Sequence, residues 1–372
     1  MAVDAPPPVT SVPSVLAESL PEGSVRCAVC AHRCLVRPGR RGICGVRENV
    51  GGELRCHAYG AVAAVGLDPI EKKPLFHVDP GSLSYSIATT GCPFHCRFCQ
   101  NWEIAQAPRL GLDLPADPMT PGAIVDAALR SGARSIACTY VEPTVFLEYA
   151  LDIGRIARAA GMRNLFITDG YATPEAVGLL ATVLDAANVD LKSFDDAFYR
   201  RLCGARLGHV LEAIEAMRDA GIWLEITTLV IPGWNDSDAE LRALASWLVA
   251  NVGVTTPWHV SRFFPAHRML DVPPTPAATL LRAAQIGRAA GLRHVYVGNA
   301  PQLGLEDTHC AGCDRLLIER QGYRTRSLLT DGGECPRCGR PLEGIGLRRG
   351  GETGDRPVTN EAAGGGFAET RR

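Results

Sequence analysis

The chain has 372 residues, 46% of them hydrophobic, and a formal net charge of -2. That length suits one large domain with small attachments. Near-neutral charge offers no broad basic face for nucleic acid, and no apolar run reaches the length of a membrane span.

The opening "MAVDAPPPVTSVPSV" has no charged segment followed by an apolar one, so a secretory signal is not expected and the cytoplasm is the expected compartment. There, 14 cysteines read as metal or redox ligands rather than disulfides. Lysine is scarce. Only Lys72, Lys73 and Lys192 stand among the many arginines, so a lysine marks a place where arginine's planar fork does not fit.

Residues 1–20, rich in Pro, Ala and Ser, read as a disordered arm. A Cys-rich module follows over 21–80. Its "CAVCAHRCLVRPGRRGICGVR" carries Cys27, Cys30, Cys34 and Cys44, which suit zinc as the simplest occupant or a second iron–sulfur cluster. Cys56 reads as a strand residue. "DPIEKKPLFH" holds two of the three lysines and is a lid on the site, a docking face for an electron donor, or a solvated turn.

Residues 81–303 alternate short apolar runs with amphipathic stretches. The expected strands are 83–90, 134–140, 163–169, 187–192, 222–231, 257–263 and 293–298, each rich in β-branched or aromatic residues. Helical patterns between them include 144–161 and 173–187, the second with Thr173 as N-cap and Pro174 at the first helical position. Repeated strand–helix units imply an α/β fold with a parallel sheet, and their number suits a partial TIM-like barrel.

"TTGCPFHCRFCQNW" places Cys92, Cys96 and Cys99 just past the first of these strands, at the sheet edge where ligands bind. A zinc site completed by His95 is sterically awkward, because His95 adjoins Cys96. A redox pair in "CRFC" leaves Cys92 without a purpose. A cubane takes one thiolate per iron, so three cysteines leave one iron open.

CxxxCxxC with an aromatic at Phe98 resembles the radical S-adenosylmethionine (SAM) superfamily. Further stretches narrow the likeness: "DPIEKKPLFHVDPGS", "YVEPTVFLEYA", "TDGY", "NVDLKSFDDAFYRRLCGARL", "TTLVIPGWNDS" and "PWHVSRFFP" resemble the radical SAM enzyme of the AmmeMemoRadiSam system, akin to pyruvate formate-lyase activating enzymes. The resemblance implies a [4Fe-4S] cluster on Cys92, Cys96 and Cys99. It also implies reductive cleavage of SAM to a 5′-deoxyadenosyl radical and hydrogen abstraction from a substrate. Expected partners are an electron donor such as flavodoxin or ferredoxin and the other proteins of that system. A glycyl-radical-enzyme activase and a non-catalytic iron and zinc scaffold are the alternatives.

Polar residues at the strand ends are the expected SAM contacts: Glu142, Thr168, Asp169, Asp190, Lys192, His259, Arg262 and Asn299. Glu142 occupies the place of the superfamily's "GGE" glutamate, facing SAM's amino group, with Lys192 or Arg262 for its carboxylate. Val141 and Asp169 depart from the family's asparagines, and Asp169 with Asp190 suits a cation instead. Cys203 is either a radical or proton relay or a packed helix cysteine, and Cys138 is core. "CAGC" and "CPRCGR", carrying Cys310, Cys313, Cys335 and Cys338, form a zinc-ribbon-like module over 304–348. A disordered tail is expected over 349–372.

Overall fold

The computed structural model describes residues 11–353. At its centre lie β1 (Ala64–Pro69), β2 (Leu83–Ala88), β3 (Ser135–Cys138), β4 (Arg163–Thr168), β5 (Ala186–Asp190), β6 (Trp223–Val230), β7 (Trp258–Arg262) and β8 (Val295–Gly298). They form one eight-stranded sheet in chain order. Strands β2 to β8 are parallel, as seven strand–helix repeats demand, and β1 is antiparallel at the edge. β1 and β8 do not pair, so the sheet stays open. β3 is buried along its whole length, the mark of a strand covered on both faces.

Thr173 caps the helix Pro174–Leu180 by accepting from the amide of Ala176. The helix ends before the 187 expected from its pattern. The carbonyl of Val183 is taken by Asn164, and the chain must turn to begin β5 at Ala186. No helix among the described residues is long and apolar enough to cross a membrane.

The first described residues do not form a loose arm. Val12–Pro13 pairs with Glu53–Cys56, and Ala17–Ser19 pairs with Val25–Cys27. Val12 and Leu16 pack on the core, which outweighs the polar, Pro-rich character of the stretch. Residues 1–10 lie outside the described part. At the other end Gly350–Thr353 adds a strand against Arg324–Ser327, and the rest of the expected tail, 354–372, also lies outside it.

Two ion-pair networks fix the attachments. Arg47 and Glu148, 2% and 5% exposed, form a bidentate pair at 2.8 Å that ties the N-terminal module to the helix Leu147–Ala159. At the N-terminal ends of the strands, Glu225 accepts from the amides of Phe76 and His77 and pairs with His259 at 2.7 Å. Burial opposes the Glu225 charge, but His259 and these donors hold its carboxyl below its ordinary range. The segment "DPIEKKPLFH" is therefore neither lid nor solvated turn over most of its length. It plugs the sheet from below. The cysteine-bearing C-terminal module docks on the same plug through Ile345 with His77 and Asp79, and through Arg320 with the carbonyl of Phe76.

Candidate functional site

At the opposite, C-terminal ends of the strands lies a cavity of about 320 Å³. Its lining comes from every parallel strand or the loop after it: the cysteine loop after β2, Thr139 to Glu142, Ile167 to Asp169, Asp190 and Lys192, Thr227 and Leu229, Ser261, and Asn299. Flat, seven strands would spread these ends over roughly 29 Å at about 4.8 Å spacing. Their convergence on one cavity means that the sheet curls around it.

Cys92, Cys96 and Cys99 are the cysteines of that lining. Their loop is irregular, not helical, and Gly91 starts it at φ 95 with its α-carbon pressed against the Cys44 carbonyl. A side chain there would sit 2.8 Å from that oxygen, so only glycine permits the approach. The backbone then takes partners from the turn around Cys203: His95 N–H donates to the Cys203 carbonyl at 2.9 Å and Arg97 N–H to that of Leu202 at 2.9 Å. His95 is exposed and its ring lies over Gly204, away from the cavity, so it does not complete a metal site with the three thiols.

Among the described residues, only Cys310, Cys313, Cys335 and Cys338 bring three or more ligand atoms within 4.8 Å of one another. The sulfurs of Cys92, Cys96 and Cys99 are spread wider than that. One ion needs its thiolates close, whereas a cubane holds each on a different iron and further apart. The spread, the shared cavity wall and the single missing corner fit a three-cysteine iron–sulfur cluster. Burial, helped by the Asp169 carboxylate, pushes the Cys92 thiol well up, and contact with Cys203 together with burial does the same for Cys96. Such thiols ionise when a metal displaces the proton.

Around the triplet, Glu142 is buried and held by four donors. Its Oε1 accepts from Thr144 N–H at 3.1 Å and Thr144 Oγ1 at 2.8 Å, and its Oε2 from Thr168 Oγ1 at 2.8 Å and Asp169 N–H at 2.6 Å. A carboxylate has about four lone-pair sites, so a ligand must displace a threonine hydroxyl to reach it. Burial and the neighbouring Asp169 charge raise the Glu142 carboxyl to about 7. Asp169 also meets the Cys92 thiol at 3.5 Å. The Lys192 ammonium bridges Asp169 and Asp190 at 2.8 Å each. Burial opposes its charge, but the two carboxylates hold its pKa well above the ordinary lysine value. The cation that the aspartate pair calls for is thus the chain's own lysine. Asn299 reaches the rim and donates to Ser261 Oγ at 2.9 Å.

Three expected residues lie elsewhere. His259 precedes the cavity-lining Ser261 by two residues on β7, so it faces the same side one layer deeper, paired with Glu225 and stacked on Tyr296. Arg262 alternates to the other side, donating to the Thr275 carbonyl and lying over Phe264. Cys203 is buried behind Cys96 and does not line the cavity.

Other cavity residues escaped sequence reasoning. Lys73 reaches the wall, pairing with Asp68 at 2.6 Å beneath the Tyr140 ring. Tyr140 keeps a left-handed φ of 64, anchored by its hydroxyl on Asp68 at 2.6 Å. The signal was present in the composition: Lys72, Lys73 and Lys192, all the lysines of the chain, line this one cavity.

The C-terminal group is arranged differently. Cys310 and Cys338 sulfurs lie 3.5 Å apart, and Cys313 and Cys335 sulfurs 3.6 Å apart. These four can bind one metal ion, and the docking on the plug puts them at the far end of the sheet from the cavity.

The family model described as "Radical SAM superfamily" matches residues 86–245. "Uncharacterized protein MJ0808" of Methanocaldococcus jannaschii is 41% identical over 328 residues, covering 88% of this chain and 97% of its own. "Pyruvate formate-lyase 1-activating enzyme" of Escherichia coli is 23% identical over 175 residues, covering 46% of this chain and 70% of its own. Among solved structures, Streptococcus suis SuiB bound to S-adenosylmethionine shares 13% identity, over 62% of this chain and 53% of its own, at a TM-score of 0.46. Likeness that loose carries no argument beyond these figures.

Proposed function

The chain belongs to the radical SAM superfamily and is an enzyme, and from this we propose that Cys92, Cys96 and Cys99 hold a [4Fe-4S] cluster at which SAM is bound and cleaved. One observation carries the reading. Three widely spaced cysteine sulfurs, with no fourth cysteine beside them in the wall, face a cavity that the polar ends of seven strands enclose. When bound, the cluster supplies the electron that splits SAM into methionine and a 5′-deoxyadenosyl radical, which abstracts hydrogen from a substrate.

The chain's own residues position the ligand. Glu142, fixed by Thr144, Thr168 and Asp169, presents a negative charge to SAM's amino group once a threonine hydroxyl swings aside. Lys192 offsets the charge of Asp169 and Asp190 and stays protonated to face a carboxylate. Asn299 and Thr168 supply neutral hydrogen-bonding groups around the nucleoside. The buried walls at Phe94 and Phe98 exclude water from the reacting centre. The four close sulfurs of the C-terminal group match a single zinc, whose thiolates would sit about 3.8 Å apart at a metal–sulfur distance of about 2.3 Å. Its task is structural.

The proposed partners are the other proteins of the AmmeMemoRadiSam system, with flavodoxin or ferredoxin as donor. The test is anaerobic: reconstitute, reduce, add SAM, and measure 5′-deoxyadenosine with and without candidate partners. No 5′-deoxyadenosine from cluster-loaded protein refutes the reading. A second reading, activation of a glycyl-radical enzyme, is favoured by likeness to the Escherichia coli activating enzyme and predicts a glycyl radical signal on the partner.

A further inference from the structure

The two four-cysteine groups of this chain differ in a way that their spacing along the sequence does not reveal. In the C-terminal group all four sulfurs lie within 4.8 Å of one another, as a single ion requires. In the N-terminal group no three of the sulfurs of Cys27, Cys30, Cys34 and Cys44 do so. Yet these four are not scattered. All of them line one small cavity of about 20 Å³, together with Val29, Ile43, Gly42 and Val145. Four thiols around a common space, no three of them close enough to share one ion, repeat the pattern of the Cys92 triplet with the fourth corner supplied.

A second observation points into the same space. Arg47 lines the cavity and is 2% exposed. Its two terminal nitrogens are spent on Glu148, Ser14 and the Thr144 carbonyl, but its Nε has no hydrogen-bond partner. A buried N–H of a cation without an acceptor is costly. Sulfur of an anionic cluster would accept from it, and hydrogen bonds to sulfur are one of the levers by which proteins tune such clusters.

We propose that Cys27, Cys30, Cys34 and Cys44 hold a second, fully protein-ligated [4Fe-4S] cluster, with Arg47 Nε donating to one of its sulfurs. This replaces the simpler expectation of zinc at that group. The site adjoins the first cluster's loop. The Cys44 carbonyl packs on Gly91, and Arg109 donates to the carbonyls of Ile43 at 3.0 Å and Cys92 at 3.4 Å. The inference does not depend on SAM chemistry and stands or falls apart from it.

The experiment uses the full chain, produced and purified without oxygen, with iron, acid-labile sulfide and zinc counted per chain. The wild type is expected to hold about eight iron, about eight sulfide and one zinc, four of each cluster element per cubane. The variant Cys92→Ala/Cys96→Ala/Cys99→Ala leaves the N-terminal group intact and is expected to keep about four iron and four sulfide. Its Mössbauer spectrum should be of cubane type. Adding Cys30→Ser and Cys44→Ser to that variant should remove the remaining iron and leave one zinc. Two zinc per chain with iron and sulfide confined to the first cluster, or a folded triple variant devoid of sulfide, overturns the proposal. The wild-type count decides the matter even where a variant fails to fold.

Discussion

Replacing Glu142 with Gln is the most informative single change, because the structure separates what its charge does from what its shape does. Burial and Asp169 raise the carboxyl to about 7, so at neutral pH losing the charge costs the unliganded protein little. Geometry is less forgiving. The two oxygens each accept one backbone N–H, Thr144 on Oε1 and Asp169 on Oε2. An amide has only one oxygen, so whichever way it turns, its NH₂ faces one of those N–H groups. One hydrogen bond to a charged acceptor is lost, at about 1.5–3 kcal/mol. The loop carrying Thr168 and Asp169 is loosened with it, and SAM affinity should fall by roughly 10- to 100-fold, about 1.4 kcal/mol per decade. The assays are anaerobic calorimetry with SAM, iron analysis, and denaturant unfolding across pH. Iron content should not change. Wild-type stability should be greatest below pH 4.5 as far as this group is concerned and be lost as pH rises through about 7, since the folded chain holds the proton that the unfolded chain releases. That pH component should vanish in the glutamine variant. Wild-type SAM affinity together with wild-type stability in the variant would refute the reasoning.

Three further outcomes are expected. Lys192→Met leaves Asp169 and Asp190 facing each other without their shared cation, which should cost about 3–5 kcal/mol in denaturant unfolding and abolish SAM cleavage. Arg47→Met strands the buried Glu148 carboxylate and should destabilise by about 3–5 kcal/mol, measured by the same unfolding. Cys335→Ser should remove the C-terminal metal and expose the small apolar cluster of Leu317, Ile318 and Leu329 to protease, while the iron bound at Cys92, Cys96 and Cys99 is retained on metal analysis.

The order of the strands and the place of the cysteine loop were legible in the sequence because both are local. Each strand from 83 to 298 announces itself by a run of β-branched residues between turns, and right-handed crossovers leave one way to arrange them. Glu142, Thr168, Asp169, Asp190, Lys192 and Asn299 meet at one mouth for the same reason: each follows a parallel strand. The depth of a side chain along its strand is another matter. His259 and Ser261 look alike in sequence, yet only Ser261 reaches the cavity, because the buried Glu225 and the plug at Phe76 and His77 occupy the lower layer. Composition marked the three lysines as unusual, but only folding gathers Lys72, Lys73 and Lys192 around one cavity from opposite ends of the sheet. Likewise, spacing alone made the C-terminal group read as a zinc site and left the N-terminal group open between zinc and a second cluster. The distances between sulfurs are set by the surfaces each loop packs against, Arg47 and Val145 in one case and a small hairpin in the other, and those belong to tertiary structure.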